Sequence, residues 1–498
     1  MKKNLIIIAF FALFSLSCSE DGSGGGSGKK HFWSVNFSTN TPYILEAKLL
    51  AQNNRCEVWA ETGSGVSAST AQNIANHYRD YIYKSMMSVF GWKDNHEGYN
   101  VMQWADIFGD GNGKLTILLL DIKDGYIKND ESGYVAGYFS PHDLLLEPES
   151  NRCDIIYMDI NPAKADSTEF YETLAHEMQH LMNFITTLLF RSKIVNKKIT
   201  EFYIMDTWID EGLSESAAWV YSQRHNNGRL EWYNESKLIS EGNNFFVWGN
   251  REGNGAGKHP GAVLDDYATV YLFFQWLRIQ KGDTSIYYDI HVSHKSGYEA
   301  VLDAVHNMGY TNWDSLLGTW LAANYIRSGT GEYGYGNDKT LNDIARHYAP
   351  ENRNNIELFP GEGVYSITNT APDTNIANHG SNVDYKFILN NAVSGSYGQG
   401  STLLTYNKNV SIKDSAEKGY ITGIAPAAPS ANVSSRSLQS SSGPYKISGG
   451  DLLRQRGIEQ NINPSFLSAP DNNSERPRAL TEKVLPFTKD EITRYTGD

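Results

Sequence analysis

Past a short apolar leader, the chain settles into alternation of apolar and polar residues. In Phe32-Trp33-Ser34-Val35-Asn36-Phe37, and again in Cys56-Glu57-Val58-Trp59-Ala60-Glu61, successive side chains fall on opposite faces. That is the period of a half-buried strand, so residues 31–62 are read as strands. The period then lengthens. Ile74, Tyr78, Tyr81, Ile82, Met86 and Phe90 share one side of a helix predicted over residues 68–90, and Gly91 stands where helices commonly stop. Turn chemistry fills Asp106-Ile107-Phe108-Gly109-Asp110-Gly111-Asn112-Gly113-Lys114, ahead of a continuous apolar run, Leu115–Leu120, that predicts a buried strand. The Asp-Gly-Asn-Gly piece superficially has the look of a calcium loop. It lacks the spaced acidic ligands and closing glutamate of one, and a tight turn is the expectation. Residues 133–140 and 154–160 complete the set of strands, the last closed by Asn161-Pro162.

A helix over residues 168–190 is apolar on most faces, through Phe170, Leu174, Leu181, Ile185, Leu188 and Leu189, and such a helix is buried. Further helices are predicted from Thr207 through Arg224, from Tyr267 to Gln280 and over residues 299–326. Arg191 to Lys198 reads as a basic, solvated loop. Residues 241–266, rich in glycine and asparagine, read as a surface loop or the border of a cleft. From about residue 352 short strands such as Gly363–Ile367 and Tyr385–Leu389 predict a small β domain. Residues 424–480, rich in serine, proline, asparagine and alanine, hold too little apolar surface to offset their ordering entropy and are expected to be largely disordered.

Composition narrows the class. The 498 residues are 40% hydrophobic and 12% aromatic, with a formal charge of −14 and no long basic stripe, which speaks for a folded protein and against nucleic-acid binding. Lys2 and Lys3 precede the apolar run Leu5–Leu16 and then Ser17-Cys18, a charged start and an apolar core too short for a permanent membrane span. A small residue before cysteine resembles the signal peptide of bacterial lipoproteins, in which the cysteine is lipidated. The chain departs from that pattern at Ser15, where leucine is preferred, and a plain secretory signal is the other reading. Ser19–Gly28 is a flexible glycine-serine tether. Cys56 and Cys153 could pair or remain buried thiols.

Candidate chemistry lies in the helix over residues 168–190. His176-Glu177-Met178-Gln179-His180 places two imidazoles four residues apart, on one face, with a carboxylate beside the first. Burying His176, Glu177 and His180 is costly unless something satisfies them, and a zinc ion does so. A third ligand is needed. The metzincin extension would require glycine and histidine where Asn183 and Thr186 stand, and is excluded. Another arrangement takes a glutamate from a later helix, and Glu211, in Trp208-Ile209-Asp210-Glu211-Gly212, fits it. His142, His259, His291 and His294 have no supporting spacing and read as surface or loop histidines.

The segment Trp208–Gly212 resembles the Trp-Leu-Asn-Glu-Gly segment of the glutamate-zincin metallopeptidases. With His176 and His180, the upstream Gly137-Tyr138-Phe139-Ser140 and the helix Tyr267–Leu277, residues 40–345 resemble the hyicolysin family of secreted bacterial neutral metallopeptidases. The resemblance implies one zinc ion on His176, His180 and Glu211, with Glu177 as general base in hydrolysis of protein or peptide substrates. It also makes Glu215, one turn beyond Glu211, a candidate to orient a zinc-bound histidine, against the alternative of a solvated helix glutamate. Tyr267 or Tyr271 could steady the oxyanion, although core packing accounts for either. The 30 residues between His180 and Glu211 exceed the gap in many relatives.

The expectation is thus an α+β chain. Residues 1–17 form a signal peptide, 18–30 a lipidated Cys18 and linker, and 31–350 a zincin-like metallopeptidase domain with a mixed sheet and active-site helices. Residues 351–423 form the small β-rich domain and 424–498 the low-complexity tail. The protein is expected in the bacterial cell envelope, anchored to the membrane by lipid, facing the periplasm or the surface, or else secreted. The competing class is an inactive surface lipoprotein with the same fold, serving adhesion or binding.

Overall fold

The computed structural model describes residues 28–422 and Lys446–Ser448, apart from 40, 96–97, 127–133, 145–148, 196–197, 243–244, 249–251, 254–256, 259–261, 350–354, 368–381 and 411–418. Cys18, its leader, His259 and nearly all of 424–498 fall outside these residues. The architecture is α+β. One curled sheet runs in spatial order β1 (Lys29–Asn36), β2 (Thr41–Gln52), β3 (Cys56–Glu61), β4 (Leu115–Leu120), β6 (Ile155–Asp159), β5 (Tyr134–Phe139), with the short strand Lys446–Ser448 on the far edge. β3, β4 and β6 are mutually parallel, while β5 returns antiparallel to β6 through Gly137↔Met158, Tyr138↔Tyr157 and Phe139↔Ile156.

The continuous apolar runs in β4 and β6 have a plain cause: both faces are covered. Ile117, Leu119, Ile156 and Met158 face the helical layer, whereas Leu118, Leu120, Ile155 and Tyr157 join a second cluster with Phe32, Phe37 and Leu45 from the curled end of the sheet. Cys56 lies in the first cluster and Cys153 in the second, on opposite faces, and both are free thiols.

Between β3 and β4 the chain forms α1 (Ala68–His77), a wider π turn (Tyr78–Ile82), α2 (Tyr83–Val89) and α3 (Val101–Phe108). Ile74, Tyr78, Ile82, Met86 and Phe90 are fully buried. Their spacing of four outruns the 3.6-residue period, and the π turn takes up the drift. Tyr81, expected on that face, is 60% exposed for the same reason. Helix α3, whose last residues the reading of Asp106–Lys114 as turn chemistry did not include, starts at a capping box: Asn100 accepts from the N–H groups of Met102 and Gln103, and the Gln103 side chain accepts from the N–H of Asn100.

Helix α4 (Thr168–Phe190) packs on β5 and β6, α5 (Thr207–Ser222) packs between α4 and α7 (Ala262–Lys281), and α6 (Asn227–Glu235) leans on α7. Beyond them lie α8 (Ser285–His291), α9 (Tyr298–Val305) and α10 (Trp313–Ile326). The predicted helix over 299–326 is two helices, because Gly309 takes the left-handed conformation, φ 96°, between them. The stretch from Arg191, read as a solvated loop, is instead strand over Ser192–Val195 and from Lys198. Ser192–Val195 pairs with Lys198–Phe202, and Arg191 is buried, donating to Thr187 Oγ1, to the Asn183 side-chain oxygen and to the His291 and Ser293 carbonyls. A four-stranded sheet built from Gly363–Ile367, Thr402–Asn407, Val383–Leu389 and Ala392–Ser394 shares its core with α10: the Tyr365 hydroxyl donates to Leu321 O at 2.6 Å and the Tyr406 hydroxyl to Asp314 Oδ1 at 2.7 Å.

Candidate metal centre

His176 and His180 project from α4, and Glu211 from α5, to one buried point. His176 Nε2 and His180 Nε2 are 3.1 Å apart, and Glu211 Oε2 lies 3.3 Å from the first and 3.5 Å from the second. Three ligands held tetrahedrally at zinc bond lengths of about 2.1 Å stand roughly 3.4 Å from one another. The triangle has that size, and the three side chains are all buried. Its electrostatics point the same way. Burial opposes a charge on His180, yet Asp210 and Glu211 carry its imidazole well above the usual histidine range. The two imidazoles hold Glu211 well below the carboxylate range against its own burial. Positive charge is demanded at the centre, whether protons or a cation supply it.

Both helices that carry the triangle are held by apolar packing. Trp208, one turn before Glu211, is surrounded by the rings of Phe245, Phe246, Phe273, Phe274 and Trp313. Gly212 lets α5 meet α7: a Cβ there would come 2.2 Å from Phe274 Cε2. Gly137 likewise brings β5 against α4, since its Cβ would meet Tyr157 O at 2.9 Å and Thr173 Cγ2 at 3.1 Å. That approach sets Phe139 N–H 3.0 Å from Glu177 Oε2. The other oxygen, Glu177 Oε1, is buried and has no hydrogen-bond partner among the described residues. Burial raises the Glu177 pKa above the usual carboxylate range and Glu211 adds to this, against the pull of His176 and His180.

A ring of polar groups orients the ligands. His180 Nδ1 lies 3.0 Å from Asp210 Oδ2, and Asp210 Oδ1 accepts from Asn183 Nδ2 at 2.5 Å. Arg191 Nη2 then donates to Asn183 Oδ1 at 2.6 Å. On the other side His176 Nδ1 is 3.6 Å from Glu215 Oε1, to which Arg229 donates from Nη2 at 2.7 Å and from Nε at 3.1 Å. A carboxylate thus backs the His180 ring by a hydrogen bond, the usual support of a metal-binding histidine, and a second carboxylate lies near His176.

His176, Glu177, His180, Glu211 and Glu215 are therefore brought together, and Glu215 is buried and ion-paired rather than solvated. The Tyr271 hydroxyl lies 2.8 Å from His225 Nδ1, and Tyr267 lies with its ring 4.2 Å from the Arg229 guanidinium. His291, expected at the surface, is buried against Thr186 Oγ1, 3.0 Å away. His142 is half-buried in a single turn and His294 is exposed. Asp210, Asn183, Arg191 and Arg229 were not singled out from the sequence. Only Asp210 carried a signal, as the neighbour of Glu211, because the others act across long separations.

A buried two-histidine, one-glutamate centre with a carboxylate alongside, set between the helices of an α+β fold, is the class that sequence and structure define. The chain is a distant homologue of the Neutral metalloprotease ShpI of Staphylococcus hyicus, with 29% identity over 328 residues that cover 64% of this chain and 67% of that protein. No family model matches the chain.

Proposed function

We propose that the protein is a zinc-dependent endopeptidase with a zincin-like catalytic domain, similar to the hyicolysins, acting on proteins outside the cytoplasm. The observation that carries this reading is the His176, His180 and Glu211 triangle, of zinc dimensions, with Glu177 beside it. When bound, zinc supplies the Lewis acidity that acidifies a water and polarises a carbonyl. Phe139 N–H anchors Glu177 Oε2 and leaves Oε1 to accept the proton of the attacking water. Glu177 then returns that proton to the leaving amine. Its burial brings the carboxylate closer to neutrality, where a general base is most effective. Asp210 and Glu215 keep the two imidazoles aimed.

Glu177→Ala is expected to keep its zinc and to lose hydrolysis of casein by about 100-fold or more, the contribution of a positioned acid–base group. Full activity in that variant would sink the mechanism. Less than about half a zinc per purified chain would favour the inactive adhesion or binding protein instead. The leader and Cys18 are read as a lipid anchor. Cys18→Ala should move the protein from the membrane to the soluble fraction, and an unchanged distribution would refute the anchor. Among the described residues no helix is long and apolar enough to cross a membrane.

A further inference from the structure

A second group of acidic side chains lies away from the zinc triangle. Asp106, at the end of α3, and Asp110, in the following turn, meet Asp154, which immediately precedes β6, and one carboxylate oxygen of each lies within 4.8 Å of the others. Two oxygens on one calcium ion, each about 2.4 Å from it, can be no further apart than that.

Acidic turns are common without an ion, and the turn itself explains part of the arrangement. Asp106 Oδ1 accepts from Gly113 N–H at 2.6 Å, while Asp110 takes Asn112 N–H at 3.2 Å on Oδ1 and Asn112 Nδ2 at 3.0 Å on Oδ2. Asp154 is different. It comes from another part of the chain, is 1% exposed, and its Oδ1 has no hydrogen-bond partner among the described residues. Leaving such a buried oxygen without a partner is costly. Burial, with the charges of Asp110 and Asp106, pushes the Asp154 carboxyl well above the usual range. Lys114, the cation of the turn, is directed to Gln52 at 2.6 Å and Glu57 at 3.4 Å instead, and Lys30 of β1 is the cation whose charge reaches Asp110.

We infer that Asp106, Asp110 and Asp154 form a calcium site, distinct from the zinc centre, that fastens the α3–β4 turn to the start of β6. The donors are hard carboxylate oxygens without nitrogen or sulfur, a set that favours calcium or magnesium over zinc. Asp110 is exposed, so the ion has a route in and room to keep water ligands. Calcium accepts the irregular, partly hydrated shell that three carboxylates on a helix end, a turn and the lead-in to a strand provide, whereas magnesium demands a near-ideal octahedron. The location has a consequence for the active end of the sheet. Ile156, two residues beyond Asp154, pairs with Phe139, whose N–H holds Glu177. Fastening the start of β6 therefore steadies the strand on which the catalytic carboxylate leans.

The test reads thermal stability of the full, zinc-loaded chain, so it does not depend on peptidase activity. Addition of about 1 mM calcium chloride to calcium-free protein is expected to raise the unfolding midpoint by roughly 3 °C or more. Asp110→Asn, and the double variant Asp106→Asn/Asp110→Asn, should abolish the rise. Both should remain folded without calcium, because relief of like-charge repulsion around Asp154 offsets the one acceptor that Asp110→Asn withdraws from Asn112. No rise in wild type, or an equal rise in the double variant, would overturn the site. An equal rise with magnesium at the same concentration would overturn its selectivity.

Discussion

Asp210→Asn isolates the support behind the zinc triangle, and the structure says why so small a change should be felt. The aspartate accepts from His180 at 3.0 Å through Oδ2 and from Asn183 Nδ2 at 2.5 Å through Oδ1. An asparagine has one accepting atom and one donating group. If its oxygen serves His180, its NH2 faces the NH2 of Asn183; if it is flipped, its NH2 faces the protonated Nδ1 of His180. Asn183 cannot turn to relieve the conflict, because its own oxygen already accepts from Arg191 Nη2 at 2.6 Å. Arg191 is in turn held by Thr187 and by the main-chain carbonyls of Asn183, His291 and Ser293. One donor then loses its carboxylate partner in a buried place, with only Ser214 Oγ, 3.2 Å from His180 Nδ1, left to take the imidazole N–H, at about 1–3 kcal/mol. Placed on the ligand His180, that cost corresponds to roughly 10- to 100-fold weaker zinc binding. Zinc affinity measured by competition with a chromophoric chelator, alongside a far-ultraviolet spectrum to show that the fold persists, reads the effect directly. A dissociation constant within about threefold of wild type would refute the constraint chain through Asn183 and Arg191.

Other consequences can be measured as simply. Gly212→Ala drives a methyl group to 2.2 Å from Phe274, so α5 and α7 must part; a loss of about 1–3 kcal/mol in urea unfolding is expected, with weaker zinc binding, and wild-type stability would refute the packing. Arg229→Met strands the buried Glu215 carboxylate and should cost about 3–5 kcal/mol, whereas a loss below about 1 kcal/mol would show the pair to be dispensable. Burial, helped by the Arg191 charge, lowers the His291 imidazole to about 3, while the unfolded chain takes up its proton near pH 6.5. The unfolded state therefore binds more protons between these values. The contribution of His291 is fully present above about pH 6.5 and is lost on acidification by about 1.4 kcal/mol per unit. His291→Gln should flatten the fall in stability between about pH 7 and 5, and an unchanged slope would refute the assignment.

Local spacing determined much of the chemistry that the chain presents. Residues four apart on a helix share a face whatever surrounds them, so His176 and His180 were legible together, and the apolar surroundings of the helix already implied that they would be buried. Glu211 was legible through its own short segment. The covered strands β4 and β6 showed in their unbroken apolar runs. Tertiary structure decided what those residues meet. That Arg191 turns inward, that Phe139 offers its N–H to Glu177 and that Asp154 faces a turn more than forty residues earlier are properties of distant segments laid side by side. Even Tyr81 followed this rule, as the π turn that the packed face required rotated it into solvent. Periodicity tells each element which face to bury. Only the packing of all the elements at once selects the polar groups that must find one another inside, because leaving any of them unmet costs as much as the fold can spare.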